Sequence, residues 1–299
     1  MAHWRELCRF SLIVVLVVGT FAISFGANDT RQSVMFTSAE DRHFYGHGAF
    51  SPDGRLLYAT ENDYEGRRGV IGVRDATDGY RQIGEFSSGG IGPHDIAMLP
   101  GGRTLVVANG GIETHPDYGR EILNLATMVP NLTYIDVETG DLLERHEFPK
   151  DLHRLSIRYL SVAEGDSVVF GCQHKGAKNE QPILIGFHRR GEQLRVAEIP
   201  DHANARLKGY VGSISTDRSG TIAAATSPRS GVALYLDVPG KRFLGINDFA
   251  DASGIAARKT GPGFVLTSGT GRVVQARHDG LVSLSENAFA WDNHVTVIA

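Results

Sequence analysis

Three histidines stand in short strings far apart in the chain: Gly46-His47-Gly48, Gly92-Pro93-His94-Asp95 and Asp292-Asn293-His294. Brought together, their imidazoles could ligate a transition metal such as iron or copper, with Glu61, Asp63 or Asp95 as oxygen donors. Equally, each could bind neighbouring backbone and fix its own loop, and no His-x-x-x-His pair on a helix favours the metal. A second set is cationic. Arg120, Arg158, Lys175 and Arg229 could hold the carboxylate or phosphate of a ligand, since a guanidinium offers a planar donor fork. Pairing with Glu61, Asp63, Glu113 or Asp117 is the structural alternative for any one of them.

Other strings carry weaker chemistry. Residues 112–120 mix Glu113, His115, Asp117 and Arg120, either as a lid bearing a general acid or base or as a loop that recognises a partner protein. Cys172 precedes Gln173-His174, where a thiol nucleophile with a nearby base can be drawn; a buried inert thiol fits the same string. Ser227-Pro228-Arg229-Ser230 lacks the strand-to-helix setting of a nucleophile elbow. The glycines at 89–92 and 269–271 precede no helix that would cradle a phosphate.

The elements that must position these residues are written in glycine. The 299 residues include 36 Gly and 11 Pro, well above the usual glycine share of ~7%. Gly54, Gly102, Gly165, Gly220 and Gly263 punctuate related segments, the clearest being Ser51-Pro52-Asp53-Gly54-Arg55 and Leu99-Pro100-Gly101-Gly102-Arg103. Gly79, Gly140, Gly191, Gly240 and Gly280 interleave with them. Between the turns lie runs rich in β-branched and aromatic residues, at 56–60, 70–73, 104–108, 132–137 and 168–170, which read as strands. Four strands per unit, repeated five times, predict an all-β propeller of four-stranded blades. Residues 112–131 read as an insertion in the second unit, and 291–298 as the loop and inner strand of a sixth. The expectation is five full blades and a partial one, such as an incomplete seven-bladed ring would leave.

With 34 acidic and 30 basic residues, a formal charge of −4 and no basic run, the chain is no candidate for nucleic acid. Its two cysteines, Cys8 and Cys172, do not build a disulfide framework. Arg5 and Arg9 precede an uncharged stretch at 10–25 and small residues at 24–27, the pattern of an export signal or N-terminal anchor. The boundaries expected are therefore 1–26 for the leader and 27–299 for the propeller, with a periplasmic or otherwise exported location and no membrane contact beyond the leader.

In such a repeat the connections between units and the loops after each second strand share one face. That face would gather His47, Glu61, Asp63, His94, Asn109, His115, Arg120, Arg158, Gln173, His174, Ser227 and Arg229 as ligand-binding residues, with His47, His94 and His294 for a metal.

Several strings resemble a known family. Residues 43–54, Tyr58-Ala59-Thr60-Glu61-Asn62-Asp63, Gly92-Pro93-His94, residues 107–112 with Thr114-His115-Pro116, and Leu155-Ser156-Ile157-Arg158 are similar to the bacterial exported propellers grouped as domain of unknown function 1513. The resemblance implies a periplasmic β-propeller encoded near imelysin-like and di-haem proteins linked to iron acquisition. Members usually begin with a twin-arginine signal and extend further at the N-terminus, and this chain lacks both features. Similar Ser-Pro-Asp-Gly-Arg and Gly-Pro-His strings also occur in lactonase-type propellers, where Glu61, His94, Asn109 and Arg158 would form a catalytic cluster. The leading expectation is binding of a small-molecule ligand or a periplasmic protein partner without catalysis; a lactonase-like enzyme and a pure interaction scaffold are the alternatives.

Overall fold

The computed structural model describes residues 10–13, 19–26 and 29–296. These residues form one three-stranded and five four-stranded antiparallel sheets, each a meander of consecutive strands. The chain divides into two compact units at residues 153/154.

The first unit holds three sheets. The first is β1 (Phe10–Ile13), β2 (Phe21–Gly26) and β3 (Asp29–Thr37); the second is β4 (Arg42–Phe50), β5 (Leu56–Asp63), β6 (Arg68–Asp75) and β7 (Arg81–Ser87). The third is β8 (Pro93–Met98), β9 (Thr104–Asn109), β10 (Asn131–Asp136) and β11 (Leu142–Glu147). Strands β5 and β9 are buried almost throughout, whereas the outermost strands β7 and β11 are largely exposed. This is why the middle strands read as continuous apolar runs: both of their faces are covered by neighbouring sheets. Ala22, Phe36, Phe44, Leu57, Ala59 and Tyr80 pack the first sheet on the second, and Tyr58, Ile71, Val73, Ile96, Leu105, Val107 and Ile135 pack the second on the third.

The second unit repeats the plan. Its sheets are β12 (Leu155–Val162) to β15 (Arg195–Val196), with β13 (Val168–His174) and β14 (Ile185–His188) between; β16 (Ser213–Thr216), β17 (Ile222–Ser227), β18 (Val232–Asp237) and β19 (Arg242–Asp248); and β20 (Ala252–Ala257), β21 (Phe264–Ser268), β22 (Arg272–Arg277) and β23 (Gly280–Glu286). Its first strands β12, β16 and β20 lie side by side, as β4 and β8 do in the first unit. A short helix, α1 (Asp201–Ala205), precedes β16.

The hairpin reading of the glycines holds. Gly54, Gly102, Gly165 and Gly220 adopt φ values of 72°, 69°, 65° and 70°, the left-handed region that glycine enters without steric penalty. The boundary at residue 27 falls between β2 and β3, which pair along their length; Ala22 is fully buried and Ser24 Oγ lies 2.7 Å from Tyr80 Oη. Arg5, Cys8 and Arg9 lie outside the described residues. At the other end, residues 291–296 form no strand. They cross the first strands of the second unit instead: Asn293 Nδ2 donates to Tyr159 Oη at 2.6 Å and to Gly212 O at 2.7 Å, and Val295 packs against Gly254.

Candidate functional site

His47, His94 and Arg158, expected in connections between repeats, lie inside first strands, at bulges. Pairing of β4 with β5 jumps from Phe44↔Glu61 to Gly48↔Ala59, so Tyr45, Gly46 and His47 face Thr60 alone. In β8 the jump from Pro93↔Asn109 to Asp95↔Ala108 leaves His94 extra, and in β12 the jump from Ile157↔Cys172 to Tyr159↔Gly171 leaves Arg158 extra. In β20, Ser253 and Gly254 face Thr267. A bulge re-aims a side chain that a regular ladder would turn into the stack of sheets. Hydroxyls clamp two of them: Thr60 Oγ1 donates to His47 O and accepts from His47 N–H, and Thr267 Oγ1 does the same at Gly254.

In the first unit the bulges start a continuous file of rings. His47 Nδ1 lies 3.0 Å from Asp95 Oδ1, and its ring centroid is 5.2 Å from that of His94. Tyr45 meets His94 edge-on and stacks on His43, which stacks on Tyr64; Tyr64 meets His115, and His115 meets Tyr118. His43 is 1% exposed, and neither ring nitrogen has a hydrogen-bond partner among the described residues. Burial, with a smaller contribution from His115, lowers its pKa to about 4, which keeps the imidazole neutral.

In the second unit the bulge at Arg158 belongs to a cationic cluster. Lys175 follows β13 directly; its backbone N–H donates to Arg154 O at 2.9 Å and its Nζ donates to Gln173 Oε1 at 2.9 Å. The turn between β17 and β18 brings Arg229 over the Tyr210 ring, with Cζ 4.2 Å from the centroid. Tyr210 in turn bridges to Gln173. Arg158 Nε and Nη1 are buried without a hydrogen-bond partner among the described residues. Burial first, then the charges of Arg158 and Arg229, pulls the Lys175 pKa down to about 8.

Several expected site residues are engaged elsewhere. Glu61 is not in a loop but in β5, fully buried and 2.8 Å from Arg74 Nη2; burial pushes its pKa up and Arg74 opposes the rise. Asp63 closes the same strand, accepting from Gly66 N–H and Arg68 Nε at 2.8 Å. Asn109 is buried in β9 and donates to Ser88 O, Asn131 Oδ1 and Thr133 Oγ1. Glu61 and Asn109, named for the lactonase-like cluster, are thus each engaged inside their own sheets. Ser227 is buried and donates to Leu207 O. Cys172 is buried and its thiol pKa is raised, which fits the inert reading. His174 Nε2 lies 2.9 Å from Glu180 Oε2, and Gln173 Nε2 donates to Val211 O.

The insertion is held in place. His115 Nε2 lies 3.2 Å from Glu65 Oε1, Glu113 pairs with Arg67 at 2.8 Å, and Asn62 Nδ2 donates to Thr114 O. All three contacts tie it to the end of β5 and the turn that follows. Arg120 is exposed on this insertion in the first unit, whereas Arg158, Lys175 and Arg229 belong to the second. The proposed metal ligands divide in the same way: His47 and His94 are neighbours in the first unit, and His294 lies near Asp292 and Tyr159 in the second.

Sequence reasoning missed His43, Tyr45 and Tyr64 as parts of the ring file, and Tyr210 as the platform for Arg229. Glycines inside a strand pattern mark bulges, and Gly46, Gly48 and Gly92 flank two of these.

Comparison with solved structures finds this fold in a chain of a crystal structure titled "Crystal Structure of Mitotic Checkpoint Complex", at 8% sequence identity and a TM-score of 0.66. The alignment covers 97% of this chain and 77% of that one. At that identity the likeness concerns the fold alone, and it agrees with a β-propeller-like arrangement of antiparallel sheets. Comparison with curated proteins returns no match. The model of the family described as "Protein of unknown function (DUF1513)" matches residues 13–298, and the chain belongs to that family.

Proposed function

We propose that this chain is a non-catalytic β-propeller that binds a small anionic ligand, through its carboxylate or phosphate, at the cationic cluster of the second unit. The observation that carries the reading is Arg158: a bulge aims it out of the ladder, and two of its buried donors have no acceptor among the described residues. Buried donors are rarely left unsatisfied, because each costs about 1–3 kcal/mol without a partner. Lys175 and Arg229 add two further positive charges, and no ion pair with a carboxylate engages any of the three among the described residues. An anion would supply acceptors and charge together.

Isothermal titration with oxalate, lactate and phosphate tests this. The wild type is expected to bind at least one of them with a single site, and Arg158→Gln to weaken that binding tenfold or more. Absence of binding to all three, or equal affinity in the variant, would overturn the reading.

Each sheet is read as a blade, the three-stranded sheet included. On sequence grounds the site would work outside the cytoplasm, in the company of the iron-handling proteins that the family resemblance implies. A reporter fused after residue 26 should be exported; retention in the cytoplasm would remove the periplasmic setting and leave the anion site untouched.

A further inference from the structure

We propose that Lys175 is a reactive amine that forms an imine with the carbonyl carbon of a small 2-oxo carboxylate held by Arg158 and Arg229, an inference that rests on the anion reading above. Among the described residues the Lys175 ammonium has one hydrogen-bond acceptor, an uncharged amide, Gln173 Oε1. The charged groups that act on it are both positive: Arg158 from the bulge in β12 and Arg229 from the turn after β17. Gln173 is fixed from its other end, where Nε2 donates to Val211 O, and Tyr210 lies between Gln173 and Arg229. The amine is therefore held by a rigid platform instead of reaching into solvent on its own stem.

These three cations, Arg158 and Lys175 half-buried and Arg229 exposed, can relax in two ways: by taking in an anion, or by losing the lysine proton. With a pKa of about 8, roughly a tenth of Lys175 is free amine at pH 7, against well under a thousandth for an ordinary lysine. Lysines made nucleophilic beside other cations are the known route to carbonyl condensation. A 2-oxo carboxylate suits the geometry because its carbonyl carbon is bonded to the carboxylate carbon. Guanidiniums that engage the carboxylate thus present the carbonyl to a neighbouring amine. In the step itself the Nζ lone pair forms the C–N bond, the carbonyl oxygen takes up one proton from Nζ and one from solvent, the C–O bond breaks as water leaves, and a protonated imine, C=NH+, remains. No oxidant or reductant is needed.

The test is trapping. The full-length protein is incubated with pyruvate, treated with borohydride, which delivers hydride to the imine carbon, and mapped by peptide mass spectrometry. Expected is a reduced adduct on Lys175 at tenfold or greater occupancy over Lys178, Lys208 and Lys241. It should disappear in Lys175→Met and fall at least tenfold in Arg158→Gln. Equal labelling of all lysines, or no adduct at Lys175, would overturn the proposal. Because a variant could perturb folding, competitive acetylation of the wild type across pH provides a second reading: Lys175 should titrate near pH 8, and titration with the other lysines would count against it. Titration with lactate, which has the carboxylate but no carbonyl, separates the two claims. Lactate binding that depends on Arg158, without trapping of pyruvate, sinks the imine alone; loss of both removes the anion site as well.

Discussion

Arg74 and Glu61 illustrate how a charged residue can mislead about its place. In the β5–β6 ladder Leu57 faces Arg74, Ala59 faces Gly72 and Glu61 faces Val70, so arginine and glutamate share one face of the second sheet across a glycine. Gly72 leaves the room, since a Cβ there would run into Glu61 Oε1. The Arg74 guanidinium also lies over the rings of Phe36 and Phe44, 5.2 and 4.8 Å from their centroids. Removing one partner strands the other charge, so Glu61→Gln or Arg74→Met should each cost about 3–5 kcal/mol. The double variant should recover a large part of that loss in urea unfolding; simple additivity would contradict the pairing. The carboxylate of Glu61 is visible in the sequence, but its partner lies thirteen positions away, and only the strand register brings the two together. His43 makes a second prediction at this scale. Its pKa is about 4 when folded and 6.5 when free, so the unfolded chain takes up the proton first as pH falls. The stability contributed by neutral His43 is thus complete above about pH 6.5 and is lost towards pH 4, by roughly 3 kcal/mol. Unfolding free energies at pH 7 and pH 4.5 should show this fall in the wild type and a smaller one in His43→Phe.

Among the elements, the hairpin glycines were the most legible, because a left-handed turn has few alternatives in residue type. Their consequences differ with what they face. At Gly220, φ is +70° and a Cβ would run into the backbone of Glu164, whereas at Gly191, φ is +78° and the space is open. Gly191→Ala should therefore cost only about 1 kcal/mol, the left-handed penalty, and Gly220→Ala distinctly more. Equal losses in thermal melts would argue against the contact between neighbouring hairpins. The first strands were harder to read. Their glycine and proline interruptions look like the ends of connections, so His47, His94 and Arg158 were expected beyond the strands. Instead the strands continue through them with extra residues, and hydrogen bonds resume on the far side. Of the residues expected to point towards a ligand, these three are the ones that the bulges leave out of the regular pairing.

For the molecule as a whole, the sequence showed the repeat, while residues 291–296 form no strand where one was expected to begin. Residues 295–298 have the β-branched composition of a strand, yet through residue 296 the segment finds no ladder and uses the Asn293 amide to join Tyr159 and Gly212. Composition describes what a segment could pair with and leaves open whether a partner is present. Asn293→Ala should lower stability by about 1–3 kcal/mol, since it leaves a buried carbonyl without a donor; an unchanged melting temperature would make the tail an ornament of the second unit. With a net charge of −4, the molecule does not attract anions by its overall field, so affinity has to come from local arrangement. The most direct test of that arrangement is a crystal structure with oxalate supplied just above its measured Kd. Expected is a carboxylate within hydrogen-bond distance of Arg158 Nε or Nη1 and in reach of Lys175 Nζ and Arg229. Oxalate bound elsewhere, with Arg158 still unpartnered, would contradict it.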